Sequence, residues 1–399
     1  MIIRNGWIVE NNQLIKKDIY IKDGYIQKVQ EEILDLDEEI DARGCLVMPG
    51  AVDVHVHLRE PGYSYKETIF TGTSAAAKGG ITEILAMANL NPCPDSLKNL
   101  FIEQKLIEQN AVVHVHPYCA LTKNEKGEEL ADLPQLCKHV YGISDDGVGV
   151  NQISLLEEAM QIALKENKII ASHAEDSVDS KLPKGEYIAV KREIEMAKRI
   201  GCRYHFCHLS TKESFDEIRK ARKEGYTNIT CEVTPHHLLL NEEMIKDGNW
   251  KMNPPLRSEE NRLATVEALL DGTVSIIASD HAPHSEEEKS KVYEDCPNGI
   301  IGLETMLPLI YTYFIQTKKA TFDDFLNWFI YNPIQIFGLP KRKLESGYVA
   351  DLTILDISNF RKYKKEEILS LGKNTPFLNW ELTGFAKYTI QNGKIIWRA

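Results

Sequence analysis

Two histidines one residue apart mark the stretch of sequence best suited to chemistry, "DVHVHLREPG" at residues 53–62. In an extended strand, side chains at positions i and i+2 point to the same face. His55 and His57 can therefore hold one object between them. A metal ion is the first candidate, because neutral imidazole is among the commonest protein ligands for metals.

The same spacing recurs in "VVHVHPY", where His114 and His116 serve as an internal comparison. A His-x-His pair on its own is more often a polar strand face than a metal site. The two pairs differ in their neighbours, since the first runs directly into Arg59 and Glu60, and the second continues without a nearby charge. Only the first pair is expected to bind metal.

Short apolar runs recur about every 30 residues through the middle of the chain, the length of one strand-helix unit. Stretches with helical spacing or composition lie between them, and Ser64 with Glu67 could form a capping box at the start of the first helix. Eight such units predict an α/β fold, a (β/α)8 barrel, whose active site lies at the carboxyl ends of the strands. The predicted strands are 51–56, 81–88, 111–117, 140–144, 169–172, 203–207, 228–233 and 274–279.

Polar residues able to bind a metal follow nearly every predicted strand. Because the carboxyl ends of barrel strands meet at one rim, these side chains should converge there. So many ligand types at strand ends are hard to obtain by chance, and they predict a metal centre. The candidates are His55, His57, Asn89, Asp145, Asp146, His173, His208, His236, His237 and Asp280.

This set is larger than one catalytic zinc requires, since such an ion usually takes three protein ligands. Two ions fit better, and a carboxylate such as Asp146 could bridge them. A hydroxide shared between two divalent ions would form near neutral pH and could attack a resistant bond such as an amide. Asp280 could then carry the proton from the attacking water to the leaving nitrogen.

A substrate anion is indicated by Arg59, which lies two residues beyond His57. If the extended geometry persists, its guanidinium shares the face of the two histidines and can bind a carboxylate in a bidentate way. Asn89, Asn253 and His284 could add hydrogen bonds.

Both ends of the chain are rich in strands. Asp23-Gly24 and Asn392-Gly393 are strong signals for two-residue hairpin turns. We therefore expect residues 1–48 and 342–399 to form one small β domain around a catalytic barrel of residues 49–341.

Composition excludes several functional classes. The chain has 399 residues, 43% hydrophobic content, 47 Lys plus Arg and 59 Asp plus Glu, which give a net charge of -12. This charge disfavours binding to nucleic acid or to anionic membranes. Without a signal-peptide pattern or a long apolar run, a cytoplasmic location is expected, and eight scattered cysteines without a C-x-x-C pair predict reduced thiols.

Several long motifs resemble those of one known family. "DVHVHLREP" and "ASDHAPHSEEEK" are similar to the two signatures of dihydroorotases in the amidohydrolase superfamily, and "CHLSTKES", "TPHHLLL", "KMNPPLRS" and "GLETMLPL" resemble the type I members in order and spacing. The resemblance spans nearly the whole chain. It implies reversible cyclisation of N-carbamoyl-L-aspartate to L-dihydroorotate in pyrimidine biosynthesis, on a zinc-dependent barrel with a small β-sandwich built from both termini.

The resemblance also implies roles for individual residues. It makes Asp146 the bridge between two zinc ions, a choice over Asp145 that sequence geometry alone would not decide, and it makes Asp280 both a ligand and the general base and acid. A homodimer is expected, and a complex with aspartate transcarbamoylase is a further option. The implied metal ligands are His55, His57 and Asp280 for one ion and His173 and His208 for the other. The implied substrate contacts are His57, Arg59, Asn89, Asn253, His284, Asn298 and Gly299.

Three features depart from the family pattern. Ala88 and Leu90 flank Asn89 where the family usually has Pro and Thr, which predicts a less rigid loop. The interval from His173 to His208 is short, which predicts a trimmed helix after the fifth strand. Asn298 stands where Phe is common.

Three other readings compete with this one. Related cyclic amidases acting on hydantoins, dihydropyrimidines or allantoin bridge their metals with a carboxylated lysine, whereas "YGISDDG" offers aspartates at that place. A non-catalytic partner of aspartate transcarbamoylase should have lost ligands, and this chain keeps all six. A cysteine hydrolase built on Cys207 and His208 is the weakest reading, since neighbours in a strand point to opposite faces.

Overall fold

The N-terminal strands pair through tight turns. The protein was analysed as a computed structural model, which describes residues 1–176 and 182–399. Asp23 and Gly24 connect the second and third strands with φ angles of 54° and 83°, as the favoured hairpin turn requires. The five strands are β1 (Ile2–Glu10), β2 (Gln13–Lys22), β3 (Tyr25–Gln30), β4 (Glu39–Asp41) and β5 (Cys45–Pro49).

Eight parallel strands follow, one within each predicted region, and they close into a barrel. β6 to β8 form one parallel group and β9 to β13 another. Bridges between Cys119 and Ile143 and between Val56 and His281 join the two groups on both sides. The predicted (β/α)8 barrel is confirmed. Its strands are β6 (Ala51–Val56), β7 (Ile81–Ala86), β8 (His114–Pro117), β9 (Gly142–Ile143), β10 (Ile169–Ser172), β11 (Arg203–Phe206), β12 (Ile229–Val233) and β13 (Ile276–Ile277).

Helices surround the barrel. Those of the barrel units and their loops are α1 (Ile69–Gly79), α2 (Leu97–Asn110), α3 (Leu133–Leu136), α4 (Ile153–Lys165), α5 (Pro183–Ile200), α6 (Lys212–Lys223), α7 (Pro235–Leu239), α8 (Glu259–Leu270), α9 (Glu286–Lys289), α10 (Met306–Ile310), α11 (Phe322–Leu326) and α12 (Asn332–Phe337). π-helical turns at Tyr311–Ile315 and Asn327–Tyr331 extend α10 and join α11 to α12. Single 3-10 turns lie at Lys123–Glu125, Glu242–Met244, Gly248–Trp250, Tyr293–Asp295 and Lys365–Glu367.

The start of α1 and the length of α5 differ from what the sequence predicts. The cap of α1 is Thr68, whose side chain exchanges hydrogen bonds with Thr71, so the predicted capping box of Ser64 and Glu67 is wrong. Glu67 is instead buried and accepts hydrogen bonds from Ser370. The helix after the fifth barrel strand, α5, has 18 residues and gives no support to a trimmed helix. Residues 177–181, in the same shortened interval, lie outside the described residues.

The C-terminal strands return to the N-terminal ones. They are β14 (Leu352–Asp356), β15 (Arg361–Lys362), β16 (Glu381–Leu382), β17 (Phe385–Gln391) and β18 (Lys394–Arg398). β5 pairs with β14, so that both termini share one eight-stranded sheet, the small β-sandwich of the fold. The turn between β17 and β18 is Asn392-Gly393, as predicted, with φ angles of 50° and 73°. The sheet encloses its own apolar cluster, which includes Ile3, Ile19, Val47, Ile354 and Ile390.

The second His-x-His pair lies where the barrel meets this sheet. His114 Nε2 is 3.3 Å from Asp351 Oδ2, and His116 contacts Glu83. Arg342 forms ion pairs with the same two carboxylates. The pair therefore belongs to an ionic cluster joining barrel and sheet.

Among the described residues, no helix is both long and apolar enough to cross a membrane.

Candidate metal centre

Four imidazoles gather around one carboxylate at the carboxyl end of the barrel. Asp146 Oδ2 lies 3.4 Å from Nε2 of both His55 and His57. Its other oxygen, Oδ1, lies 3.3 Å from His208 Nε2 and 3.6 Å from His173 Nδ1. Each oxygen thus faces its own pair of histidines, so the carboxylate stands between two half-sites.

Asp280 completes the first half-site. Its Oδ1 is 3.2 Å from His57 Nε2 and 3.4 Å from His55 Nε2. Burial alone would raise the pKa of Asp280, but the charge of His55 and the hydrogen bond of His57 outweigh burial and hold that pKa well below its usual range. The same balance lowers the pKa of Asp146, where His55 and the second histidine pair act together. Both carboxylates are therefore anionic near neutral pH.

The arrangement fits divalent cations. His55, His57 and Asp146 form one group with ligand atoms within 4.8 Å of one another, and Asp146, His173 and His208 form another. Among the described residues, the buried atoms His55 Nε2 and Asp146 Oδ1 have no hydrogen-bond partner. Leaving such polar atoms unpaired costs a few kcal/mol, so ligation by a cation would relieve that cost. Nitrogen and carboxylate oxygen are the donors that zinc accepts.

Backbone conformation places several of these groups. His55 lies in β6 and His57 is the first residue beyond it, and both Nε2 atoms reach the same oxygen of Asp146, as the alternation of a strand predicts. His208 and Asp280, two residues beyond β11 and three beyond β13, have φ angles of 31° and 47°. Such left-handed conformations are uncommon for residues other than glycine and concentrate at functional sites.

In three of the histidines, the ring nitrogen that faces away from Asp146 lies within hydrogen-bond distance of a side-chain oxygen. His55 Nδ1 is 2.7 Å from Glu232 Oε1, and His57 Nδ1 is 3.0 Å from Asn89 Oδ1. His173 Nε2 is 2.8 Å from Glu175 Oε2. Partners of this kind fix the tautomer and orientation of a ligating imidazole. The two glutamates were missed by the sequence reasoning, although Glu232 interrupts an apolar strand and Glu175 follows His173 by two residues.

Above the carboxylates lies a pocket of about 220 Å³. All seven predicted substrate contacts line it, together with five further residues. The predicted contacts are His57, Arg59, Asn89, Asn253, His284, Asn298 and Gly299, and the others are Asp146, Gly147, His173, Asp280 and Ala282. Asn253 Nδ2 also donates to Glu175 Oε2 at 3.1 Å, so this amide contacts both the pocket and a metal-site partner.

The backbone conformation that brings Arg59 to the pocket is not the expected extended one. β6 ends at Val56, and Arg59 has a φ angle of 62°, so the extended geometry does not persist. The left-handed turn, rather than strand alternation, brings its guanidinium into the pocket. Burial lowers the pKa of Arg59, although the charges of Asp280 and Asp146 oppose that effect.

His284 is held in one tautomer. Its Nε2 is 2.7 Å from the backbone carbonyl oxygen of Asn298, and its Nδ1 is 3.2 Å from Lys66 Nζ. A carbonyl only accepts and an ammonium only donates, so Nε2 carries the proton and Nδ1 the lone pair. Burial, with the charges of Arg59 and Lys66, lowers the pKa of His284 to about 3. A bound anion would reach the Nε2–H only by displacing the Asn298 carbonyl.

Besides Asn89 and Asp280, three strand-end candidates lie outside both metal groups. Asp145 accepts hydrogen bonds from the Leu121 amide, at 2.7 Å, and from Thr122. His237 Nε2 bonds the Pro254 carbonyl at 3.0 Å, and His236 is buried beside it. Neither metal group includes Asp145, His236 or His237, so the structure gives no support to the expectation that these side chains bind metal. Nor is Cys207 suited to attack a substrate, since burial raises the pKa of its thiol.

The chain is similar to known proteins over its whole length. It is 43% identical to the dihydroorotase of Shouchella clausii (strain KSM-K16), over 100% of this chain and 98% of that protein. The chain belongs to the dihydroorotase family. It is also 42% identical to the dihydroorotase of Staphylococcus aureus (strain Mu50 / ATCC 700699), over 99% of this chain and 98% of that one. A family model described as Dihydro-orotase-like matches residues 44–182 of the chain.

Solved structures agree on the fold of this dihydroorotase. L-hydantoinase (dihydropyrimidinase) from Arthrobacter aurescens superimposes with a TM-score of 0.90 at 26% identity, covering 100% of this chain and 96% of that one. Dihydropyrimidinase from Brevibacillus agri NCHU1002 gives a TM-score of 0.88 at 22% identity, covering 100% and 95%. These structures share the barrel with its sandwich of terminal strands. The chain is thus a metal-dependent cyclic amidohydrolase of the dihydroorotase family.

Proposed function

We propose that this chain interconverts N-carbamoyl-L-aspartate and L-dihydroorotate in pyrimidine biosynthesis. One observation carries the proposal: the two oxygens of Asp146 face two separate histidine pairs, directly below a pocket that contains Arg59. The pocket volume suits a small ring, and a buried guanidinium suits a substrate with a carboxylate.

The proposed cofactors are two zinc ions per chain. His55, His57 and Asp280 would hold one, His173 and His208 the other, and Asp146 would bridge them. When bound, the two ions supply Lewis acidity that activates water and polarises an amide carbonyl. The anionic state of Asp146 and Asp280 supports this assignment, since a carboxylate must be deprotonated to bind a metal.

Asp280 is proposed as the general base and acid. Its carboxylate borders the pocket beside His57, so it can accept a proton from the attacking water and return that proton to the ring nitrogen as the amide bond breaks. In the direction of ring closure it performs the two transfers in reverse.

The remaining pocket residues are proposed to hold the substrate. Arg59 and Asn89 would bind the carboxylate, and His284 would join them when the anion displaces the Asn298 carbonyl from its Nε2–H. Asn253 with the backbone at Asn298 and Gly299 would contact the ring. Gly299 has a φ angle of 132°, and an added Cβ would lie 2.7 Å from the Ala282 carbonyl oxygen, so only glycine fits there without strain. His57 would contact substrate as well as metal.

An assay with two substrates separates this function from the nearest rival. The solved structures with the same fold are hydantoinases and dihydropyrimidinases, whereas the curated relatives at 42–43% identity are dihydroorotases. We expect purified protein to hydrolyse dihydroorotate much faster than hydantoin and to contain two zinc ions by mass spectrometry. Faster turnover of hydantoin would reject the proposed substrate, and one ion per chain would reject the bridged pair.

Several broader assignments are proposed alongside. The shared sheet of the terminal strands supports a division into residues 1–48 plus 342–399 and residues 49–341. The eight free, buried cysteines accord with a cytoplasmic location.

A homodimer and a complex with aspartate transcarbamoylase are proposed from family resemblance alone, and light scattering with and without that enzyme tests both. All six ligands are present, which favours a catalytic protein over a non-catalytic partner.

A further inference from the structure

A buried glutamate lies beneath the metal centre and contacts both half-sites. Glu232, on β12, is 1% exposed. Its Oε1 is 2.7 Å from His55 Nδ1 and accepts a hydrogen bond from the backbone amide of His208 at 3.3 Å. Its Oε2 is 3.1 Å from Nε2 of a further buried histidine, His205.

These contacts determine where protons reside. An ionised carboxylate only accepts hydrogen bonds, so both histidines must present N–H groups to it. In the neutral ring that metal binding requires, His55 then has its proton on Nδ1 and its lone pair on Nε2, the atom that lies 3.4 Å from both Asp146 and Asp280. His205 bonds Thr230 Oγ1 through its other nitrogen at 2.8 Å, so the network ends on a hydroxyl that can donate to it.

We propose that Glu232 is a positioning residue of the metal centre, which holds His55 in the tautomer that offers Nε2 to the first ion. Through the amide of His208 the same carboxylate also fixes the backbone that carries a ligand of the second ion. This inference rests on the proposed two-metal function. It assigns to one residue the alignment of both half-sites.

A different use of the same residues must be distinguished. His55, Cys207 and Glu232 bring one ligand atom each within 4.8 Å, so they could in principle hold a third cation. That cation would need the Nδ1 lone pair of His55 while the first ion takes Nε2. Both nitrogens would then have lost their protons, which a neutral imidazole cannot provide. The contacts instead fit a carboxylate that holds His55 in the tautomer protonated on Nδ1.

The test measures zinc affinity rather than turnover. Metal-free wild-type protein and the variant Glu232→Gln are titrated with zinc against a competing chelator. Loss of such a supporting carboxylate typically weakens metal binding about 10- to 100-fold, and we expect that range here. Glu193→Gln is the control, because Glu193 on α5 is also a buried glutamate and its partners, Ser172, Tyr204 and Arg192, are not proposed metal ligands.

Further measurements keep the proposal falsifiable. Nitrogen-15 spectra of zinc-loaded wild type should show His55 protonated on Nδ1, and Glu232→Asp should bind zinc with intermediate affinity if the Gln variant does not fold. Equal affinities for the Glu232 and Glu193 variants would overturn the proposal. So would a third bound ion that Cys207→Ser removes. If wild type binds two ions but does not turn over dihydroorotate, the proposed substrate fails while the role of Glu232 stands.

Discussion

Replacing Asp280 with Asn separates metal binding from proton transfer. Asp280 Oδ1 is the atom that lies 3.2 Å from His57 Nε2 and 3.4 Å from His55 Nε2. An asparagine can place its carbonyl oxygen at the same point, so one ligand atom is retained. It cannot accept a proton at neutral pH, so the transfer between water and ring nitrogen loses its carrier.

The size of the effect follows from that loss. General acid-base catalysis contributes about 10²- to 10⁴-fold, which corresponds to roughly 3 to 5 kcal/mol of barrier. We therefore expect kcat for dihydroorotate hydrolysis to fall by about that factor, while KM changes little because Arg59 and the rest of the pocket are unaltered.

The assay combines kinetics with metal analysis of the same preparation. Asp145→Asn is a matched control, since Asp145 is a buried neighbour whose hydrogen bonds go to Leu121 and Thr122. It should affect stability more than kcat. If Asp280→Asn keeps kcat within tenfold of wild type with full metal content, Asp280 is not the proton carrier. If it loses the metal, the experiment instead shows that its charge is needed for ligation.

Three further outcomes are expected. Arg59→Met should raise KM for dihydroorotate about 10- to 100-fold, as loss of a hydrogen bond to a charged group predicts, and an unchanged KM would reject the carboxylate contact. Replacing His114 and His116 together with Gln should leave the zinc content measured by mass spectrometry at the wild-type value, because these rings contact carboxylates at the junction with the sheet; a lower content would contradict that. Burial alone would raise the pKa of Glu186, but the charge of Arg257 and the hydroxyls bonded to the carboxylate outweigh burial and lower that pKa. The stability that ionised Glu186 gives the folded protein is therefore complete above the unfolded pKa of about 4.3 and is lost as the pH falls through the lower folded value. In urea unfolding, the stability difference between wild type and Glu186→Gln should shrink below pH 4, and a constant difference would refute the coupling.

The barrel could be predicted because its signal repeats. β9 and β13 have two residues each, and neither would be recognised alone, yet both fall inside the regions that the spacing marks. Once the strands are parallel and closed, their carboxyl ends share a rim, so residues from 55 to 280 in the chain converge. Ten candidate ligands could therefore be placed at one rim without knowing any distance, and the family resemblance selected the six proposed ligands from them.

Side-chain direction beyond the strand ends could not be predicted in the same way. Asp145 and Asp146 are adjacent and chemically identical, but one faces the loop of Thr122 and the other faces four histidines. Arg59 and His208 adopt left-handed backbone, which sequence patterns rarely reveal for residues other than glycine. Where the chain leaves regular structure, strand alternation no longer applies, and family resemblance supplied the choice of Asp146.

The two half-sites are connected to the fold in different ways, and this difference explains the position of Asp146. β6 and the Asp280 loop are joined directly, since the His57 amide donates to the His281 carbonyl at 2.9 Å, so the first half-site is fixed by backbone pairing. The second half-site lies on β10 and β11, across the barrel. Asp146, three residues beyond β9, has one oxygen toward each half-site, so under the proposed two-metal function it would set the distance between the two cations. A longer or differently directed side chain at residue 146 would change that distance while leaving each half-site intact.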